Sequence, residues 1–193
     1  MSKIKVIKAK NSVTKTLDKL YIAKIIIATF IISVILTFIS DNAFDSVNII
    51  ISIIFVLFFV IVGVIFDVIG IASTSADEKP FHAMSSKKIK SATIAADLIR
   101  NSEKVSNICN DVVGDISGII SGSAGTAVAI KIASTVDNSI LKILIPLIVV
   151  STIATLTIAG KAIGKTIAMN HSNTIIFTAA RIMNIFKRKS RAK

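Results

Sequence analysis

Residues 47–72 carry one charged side chain, Asp67, in a stretch dominated by Val, Ile, Leu and Phe. Crossing the hydrocarbon core of a bilayer takes about 20 predominantly apolar helical residues. Inside that core no water satisfies exposed backbone groups, so only a helix or a closed barrel can span it. A run this long and this apolar therefore reads as a transmembrane helix, Val47 to Ala72. Three further runs follow the same logic: Leu20 to Ile39, Val105 to Ile130 and Ser139 to Ala159. The chain has 193 residues, 53% of them hydrophobic, and a mean hydropathy of +0.78. Soluble domains seldom reach that composition. The fold expected is all-α and membrane-integral, with four spans.

The first run follows a lysine-rich N-terminus and has the outline of a signal peptide. Its length, and the lack of an A-x-A-like site in Ser40-Asp41-Asn42-Ala43, favour a retained helix. Lys24, near its start, can snorkel to the interface. Pro146, within the fourth run, is tolerated in a membrane helix.

Lysine and arginine set the orientation. Residues 1–19 hold six lysines, 73–104 six Lys or Arg, and 161–193 eight. The intervening segments 40–46 and 131–138 hold none and one. This alternation places both termini and residues 73–104 on the cytoplasmic side of a cell membrane. The net charge of +12 could suggest nucleic acid in a soluble protein, but it is confined to segments flanking the apolar runs, and the chain has no Trp and one Tyr for base stacking. No nucleic-acid partner is expected.

Two polar segments carry helical patterns. Ser85 and Ser86 can cap a helix running to about Ile99, with Ile89, Ala92, Ala96 and Ile99 on one face and Asn101 at its end. In the tail, Ile175, Ala179, Ile182 and Phe186 form one stripe, flanked by Ile176 and Met183. The basic string Lys187, Arg188, Lys189, Arg191, Lys193 follows. A juxtamembrane amphipathic helix of this kind lies in the interface and favours anionic lipid.

The third run is the weakest in hydropathy and the richest in small residues. On a helix advancing about 100° per residue, Asn107, Gly114, Asp115, Gly118, Gly122 and Gly125 fall within about 60° of Asp111. Asn110 lies at the edge of that face; Cys109, Val113, Ile116 and Ile120 lie opposite. Carboxylates at membrane depth are costly and usually face a bundle interior or a water-filled cavity. Glycines four residues apart, Gly114, Gly118 and Gly122, allow a second helix to approach closely. Two carboxylates one turn apart repel unless a cation sits near them, and a hard cation with oxygen ligands suits the site. The competing reading is plain helix packing, with Asp111 and Asp115 paired to Lys161 or Lys165.

No catalytic constellation is present, and an enzyme is not expected. His82 and His171 are far apart among polar residues, and Asp77-Glu78-Lys79-Pro80 reads as a turn outside the membrane. Cys109 is the sole cysteine, which excludes an intramolecular disulfide and any cysteine-based metal motif.

From Asp67 onward the chain resembles the transmembrane domain of the CorB/CorC/CNNM family of magnesium transporters. Ile65-Phe66-Asp67-Val68-Ile69-Gly70-Ile71-Ala72 stands where the family has a Phe-Phe-Ser-x-x-Glu-x-Ala pattern. Asn101-Ser102-Glu103-Lys104 is similar to its Asn-Pro-Glu-Arg turn, and Gly114-Asp115 to its Gly-Asn pair, with a short insertion. Gly160-Lys161-Ala162-Ile163-Gly164-Lys165-Thr166-Ile167-Ala168 stands in place of Gly-Glu-x-x-Pro-Lys-x-x-Ala. The likeness covers about 130 residues. It divides the chain into a basic N-terminus with an extra first span, 1–46, and a family-like transmembrane domain with its juxtamembrane tail, 47–193.

The resemblance implies a homodimer that moves Mg²⁺ or Co²⁺, with the ion held between helices by Ser and Asn side chains, a backbone carbonyl and the motif glutamate. On that implication Asp67, Asn110, Asp111 and Asp115 line the ion path. The departures are specific. Lys161 occupies the glutamate position, Gly164 the proline position, and Asp67 the serine position. Either the aspartates replace the lost negative charge, or the Lys161 ammonium replaces the ion and the protein is a transport-dead relative. The second outcome describes a regulatory, partner-binding or immunity-type membrane protein.

Overall fold

A computed structural model describes residues 26, 27, 30–35, 37–39 and 47–190, with backbone only for 186–190. Contacts divide the chain into residues 1–35 and 36–193. In the first unit the described residues are helical and, apart from Ser33, apolar, Phe30 and Ile31 among them. The remainder of the expected first span lies outside the described residues.

In the second unit residues 37–39 are helical, and the named elements start with α1 (Ile49–Ser75), followed by α2 (Lys79–Ser86), α3 (Lys90–Arg100) and α4 (Ser102–Ser106). A π-helical segment, Asn107–Gly114, then leads without a break into α5 (Asp115–Ser134). Next come α6 (Ser139–Asn170) and α7 (Ser172–Ser190). Among the described residues three rods are long and apolar enough to cross a membrane: Ile49–Ser75, Ser102–Ser134 and Ser139–Asn170, numbered after the expected spans as the second, third and fourth rods.

Local chemistry explains the ends of these rods. Asn48 caps α1, its Oδ1 accepting from the Ile50 amide at 2.9 Å. Asn138 caps α6 the same way, through the Ile140 amide at 2.9 Å. Each satisfies one of the donors that a helix start leaves orphaned. Pro146 sits inside α6 without ending it.

Rods α1, α5 and α6 pack pairwise into a bundle, and glycine sets how closely they approach. A Cβ built on Gly164 would lie 2.6 Å from Val68 Cγ2, and one on Gly160 2.9 Å from Val64 Cγ2. Gly160 and Gly164 of α6 thus form a small-xxx-small notch that receives Val64 and Val68 of α1. Gly63 of α1 meets Ser117 of α5, where a Cβ would come within 3.2 Å of the serine Cβ. Gly125 of α5 leaves room for Ile153 of α6. At the far end, Lys131 Nζ donates to the Val47 carbonyl at 2.8 Å.

The outward faces are apolar. Ile143 is 76% exposed, Ile158 69% and Phe58 56%. Soluble monomers rarely show contiguous apolar patches above a few hundred Å², so the surface matches hydrocarbon rather than water.

At the other end of α1, helices α2, α3 and α7 form a cap. Its core holds Ala72, Phe81, Ala95, Ala96, Ala168, Ile176 and Ala180. Phe81 stacks on Phe177 at 6.2 Å between ring centroids. Glu78 accepts from Arg100 at 3.0 Å and pairs with His82 at 2.9 Å, joining α2 to α3. Two bonds tie α7 to the end of α1: the Asp77 amide donates to Asn173 Oδ1 at 2.9 Å, and Ser172 Oγ donates to the Ser75 carbonyl at 3.3 Å.

The cap departs from the expectation in three places. Ser85 and Ser86 end a helix rather than start one, and the next helix starts at Lys90. Pro80, pre-organised for the first turn of a helix, lets α2 begin at Lys79, so the expected turn there is shorter. The chain reverses at Lys88, whose φ is 61°. In α7 the buried stripe is Ile176 and Ala180, one residue round from Ile175 and Ala179, while Ile182 stays exposed.

Candidate functional site

The polar groups of the bundle gather where α1, the π segment and α6 meet. Gly63, Asp67 and Gly70 share one face of α1, since residues four and then three apart lie above one another. Both glycines on that face pack against the third rod, Gly63 at Gly114 and Ser117, Gly70 at Asn110. Asp67, between them, therefore belongs to the face turned to the π segment; it is half-buried.

Asn110 is the most constrained member. Its side chain fills the space where Gly70 has none. Its Nδ2 donates to Ser106 Oγ at 3.2 Å. Its Oδ1 is buried with no hydrogen-bond partner among the described residues. Nearby, Ser73 Oγ bonds the Gly70 carbonyl at 2.7 Å and sits 3.5 Å from the Ser102 carbonyl, fixing the start of the third rod against α1. A buried polar atom without a partner costs about 1–3 kcal/mol, and native structures keep few of them. The π turn contributes to this placement: i→i+5 bonding takes up more residues than the 3.6 of an α-helix. Side chains before Gly114 therefore drift from the positions a regular wheel assigns.

Lys161 reaches the same junction from α6. Its Nζ would lie 3.8 Å from a Cβ on Gly114, which is buried. Lys165 is exposed. The lysines do not pair with the aspartates: the ion pairs among the described residues are those of Glu78 with His82 and Arg100. Asp111 and Asp115 are exposed, turned away from the bundle, while Lys161 reaches inward.

The single acidic and glycine-rich face expected for the third rod is divided. Its buried stripe runs Gly114, Ser117, Ser121, Ala124, Gly125, Val128. Of the three expected packing glycines, Gly114 lies in that stripe; a Cβ on Gly118 or Gly122 would meet nothing within 4 Å. The cause is electrostatic: a carboxylate cannot enter a close helix contact without a partner, so the rod turns its serines inward and its aspartates out. Cys109 also packs inside, 8% exposed.

Depth follows from helix rise. At about 1.5 Å per residue, Asp67 lies roughly 30 Å along α1 from Val47, and Lys161 roughly 33 Å along α6 from Ser139. This polar layer therefore lies next to the cap, about one hydrocarbon thickness from the far end of each rod.

The side-chain oxygens on the facing surfaces of α1 and the π segment are the Asp67 carboxylate and the Asn110 amide. Among the described residues no three His, Cys, Asp or Glu side chains cluster as a metal site. Gly70, Gly160 and Gly164 are functional in packing, and the sequence reading did not assign them that role. The spacing Gly160-x-x-x-Gly164 was the visible signal. No protein-family model, curated protein or solved structure matches the chain.

Proposed function

We propose that this chain is a multi-pass membrane protein of four spans, with both termini cytoplasmic, that handles a divalent cation such as Mg²⁺ or Co²⁺ in the manner of the CorB/CorC/CNNM transporters. The observation that carries this reading is the buried, unpartnered Asn110 oxygen opposite Gly70, with Asp67 on the same face of α1. Both are oxygen donors, as Mg²⁺ prefers, and Mg²⁺ keeps several waters and needs few protein ligands. Asp111 and Asp115, exposed at the same level, raise the local cation concentration rather than enclose the ion. A homodimer fits the open Gly118 and Gly122, and the basic tail fits anionic headgroups.

Lys161 favours a second reading. An ammonium beside Gly114 is a fixed cation at the junction and repels a divalent ion. On that reading the protein is a non-transporting partner or regulatory subunit.

Flux into proteoliposomes separates the two. Under the first reading the wild type admits Mg²⁺ or Co²⁺, and Asp67→Asn or Asn110→Ala reduces the rate by roughly tenfold or more, about 1.4 kcal/mol. Absence of flux from the wild type, together with increased flux from Lys161→Ala, establishes the second.

A further inference from the structure

A groove of about 320 Å³ runs between α1 and α7, at the end of α1 that bears Asp67. Val64, Val68 and Ile69 of α1 form one wall, and Ile175, Ala179 and Ile182 of α7 the other. Thr174 and Thr178 lie along its rim, and the Thr178 hydroxyl is committed to the Thr174 carbonyl at 2.8 Å. The groove therefore offers aliphatic contact and little hydrogen bonding, which suits a hydrocarbon chain.

Charge narrows the occupant. Beyond Asp137 the sequence contains no Asp or Glu. Along α7 and the tail lie Arg181, Lys187, Arg188, Lys189, Arg191 and Lys193. Arg181 is exposed and directly precedes Ile182 of the groove wall. The nearest acids in sequence to the α1 wall are Asp67, on the face turned to the π segment, and Asp77, just beyond the helix, whose Oδ1 accepts from the Lys79 amide at 3.1 Å. A basic helix beside an apolar groove, at one membrane boundary, is complementary to a molecule with an acyl chain and an anionic head.

We propose that this groove is a specific site for one anionic phospholipid of the cytoplasmic leaflet, its acyl chain between α1 and α7 and its headgroup held by Arg181, in a stretch of sequence whose charged residues are all basic. The site rests on the proposed membrane orientation but not on ion transport. It makes the attachment of α7 to the bundle depend on the leaflet's composition.

Native mass spectrometry of the full chain in detergent tests this, with phosphatidylglycerol and phosphatidylcholine of identical acyl chains as probes. Expected is one retained phosphatidylglycerol per chain, with phosphatidylcholine roughly tenfold or more weaker. Ala179→Phe fills the groove and loses the retained lipid. Thr178→Phe, at the exposed rim, is the second variant should the first not fold. Replacing Arg181, Lys187, Arg188 and Lys189 together by Gln brings phosphatidylglycerol down to the phosphatidylcholine level. Equal retention of the two lipids by the wild type overturns the proposal. Undiminished retention in a folded groove-filling variant, or a second copy of the chain held there in place of lipid, overturns it too. None of these readouts involves flux, so failure of the transport reading is seen separately.

Discussion

Asn110 holds an amide oxygen that the described protein leaves unsatisfied, in a space made by the absence of a side chain at Gly70. The amide nitrogen is bonded to Ser106, but a buried amide kept for stability alone would have its oxygen satisfied as well. Asn110→Ala is therefore expected to leave the melting temperature of the detergent-solubilised protein unchanged or higher, while any shift on adding Mg²⁺ disappears. A loss of about 2 kcal/mol or more, the range for breaking a satisfied buried network, would make the residue structural. The glycines divide in the same experiment. Gly164→Val must displace Val68, and overpacking of this kind costs about 1–3 kcal/mol. Gly118→Ala meets open space and gains about 1 kcal/mol of helix propensity. Reversal of that order would mean that Gly118 faces a partner. The sequence showed that small residues matter here, but a helical wheel cannot say which glycine meets a neighbour. That depends on the partner helices and on a π turn that has no sequence signature of its own.

The cap depends on one helix face. Ile176 is fully buried among Phe81, Ala95, Ala96 and Ala180. Ile176→Ala should cost about 2–5 kcal/mol by the transfer and cavity terms. Hydrogen exchange should report that loss in α2, α3 and α7, with the bundle core of α1 still protected; uniform loss throughout would show that cap and bundle unfold as one. Glu78→Gln should cost less than about 1 kcal/mol, because the Arg100 and His82 pairs are exposed. The amphipathic character of α7 was legible from its spacing, but the buried stripe lies one residue round. Ile175 and Ile176 are equally apolar, and only the position of the α3 surface chooses between them.

The second unit has two chemically different ends. Lys131 marks one end of the bundle, and the cap, with Glu78, His82 and Arg100, marks the other. Cysteine labelling with an impermeant maleimide tests the orientation in intact cells, in a Cys109→Ser background. Ser134→Cys should be labelled from outside, and Ser86→Cys only after permeabilisation; the opposite pattern would invert the topology. Three of the long helical rods were legible because apolar length is a one-dimensional property that needs no knowledge of neighbours. The polar junction was less so. The residues Asp67, Asn110 and Lys161 come from three rods, and their proximity is a product of how glycines let those rods close.

Helix α6 is unbroken from Ser139 to Asn170, about 48 Å at 1.5 Å per residue, against a hydrocarbon core of about 30 Å. Its last turns therefore leave the bundle and enter the cap, where Ala168 is part of the core. Such a rod acts as a lever. Its fulcrum is the notch at Gly160 and Gly164, close to Lys161. Any tilt of the long arm would swing the short arm, and α7 joined to it through His171, in the opposite direction. The polar junction and the cap are thereby joined by one continuous helix, with no loop between them to absorb a displacement.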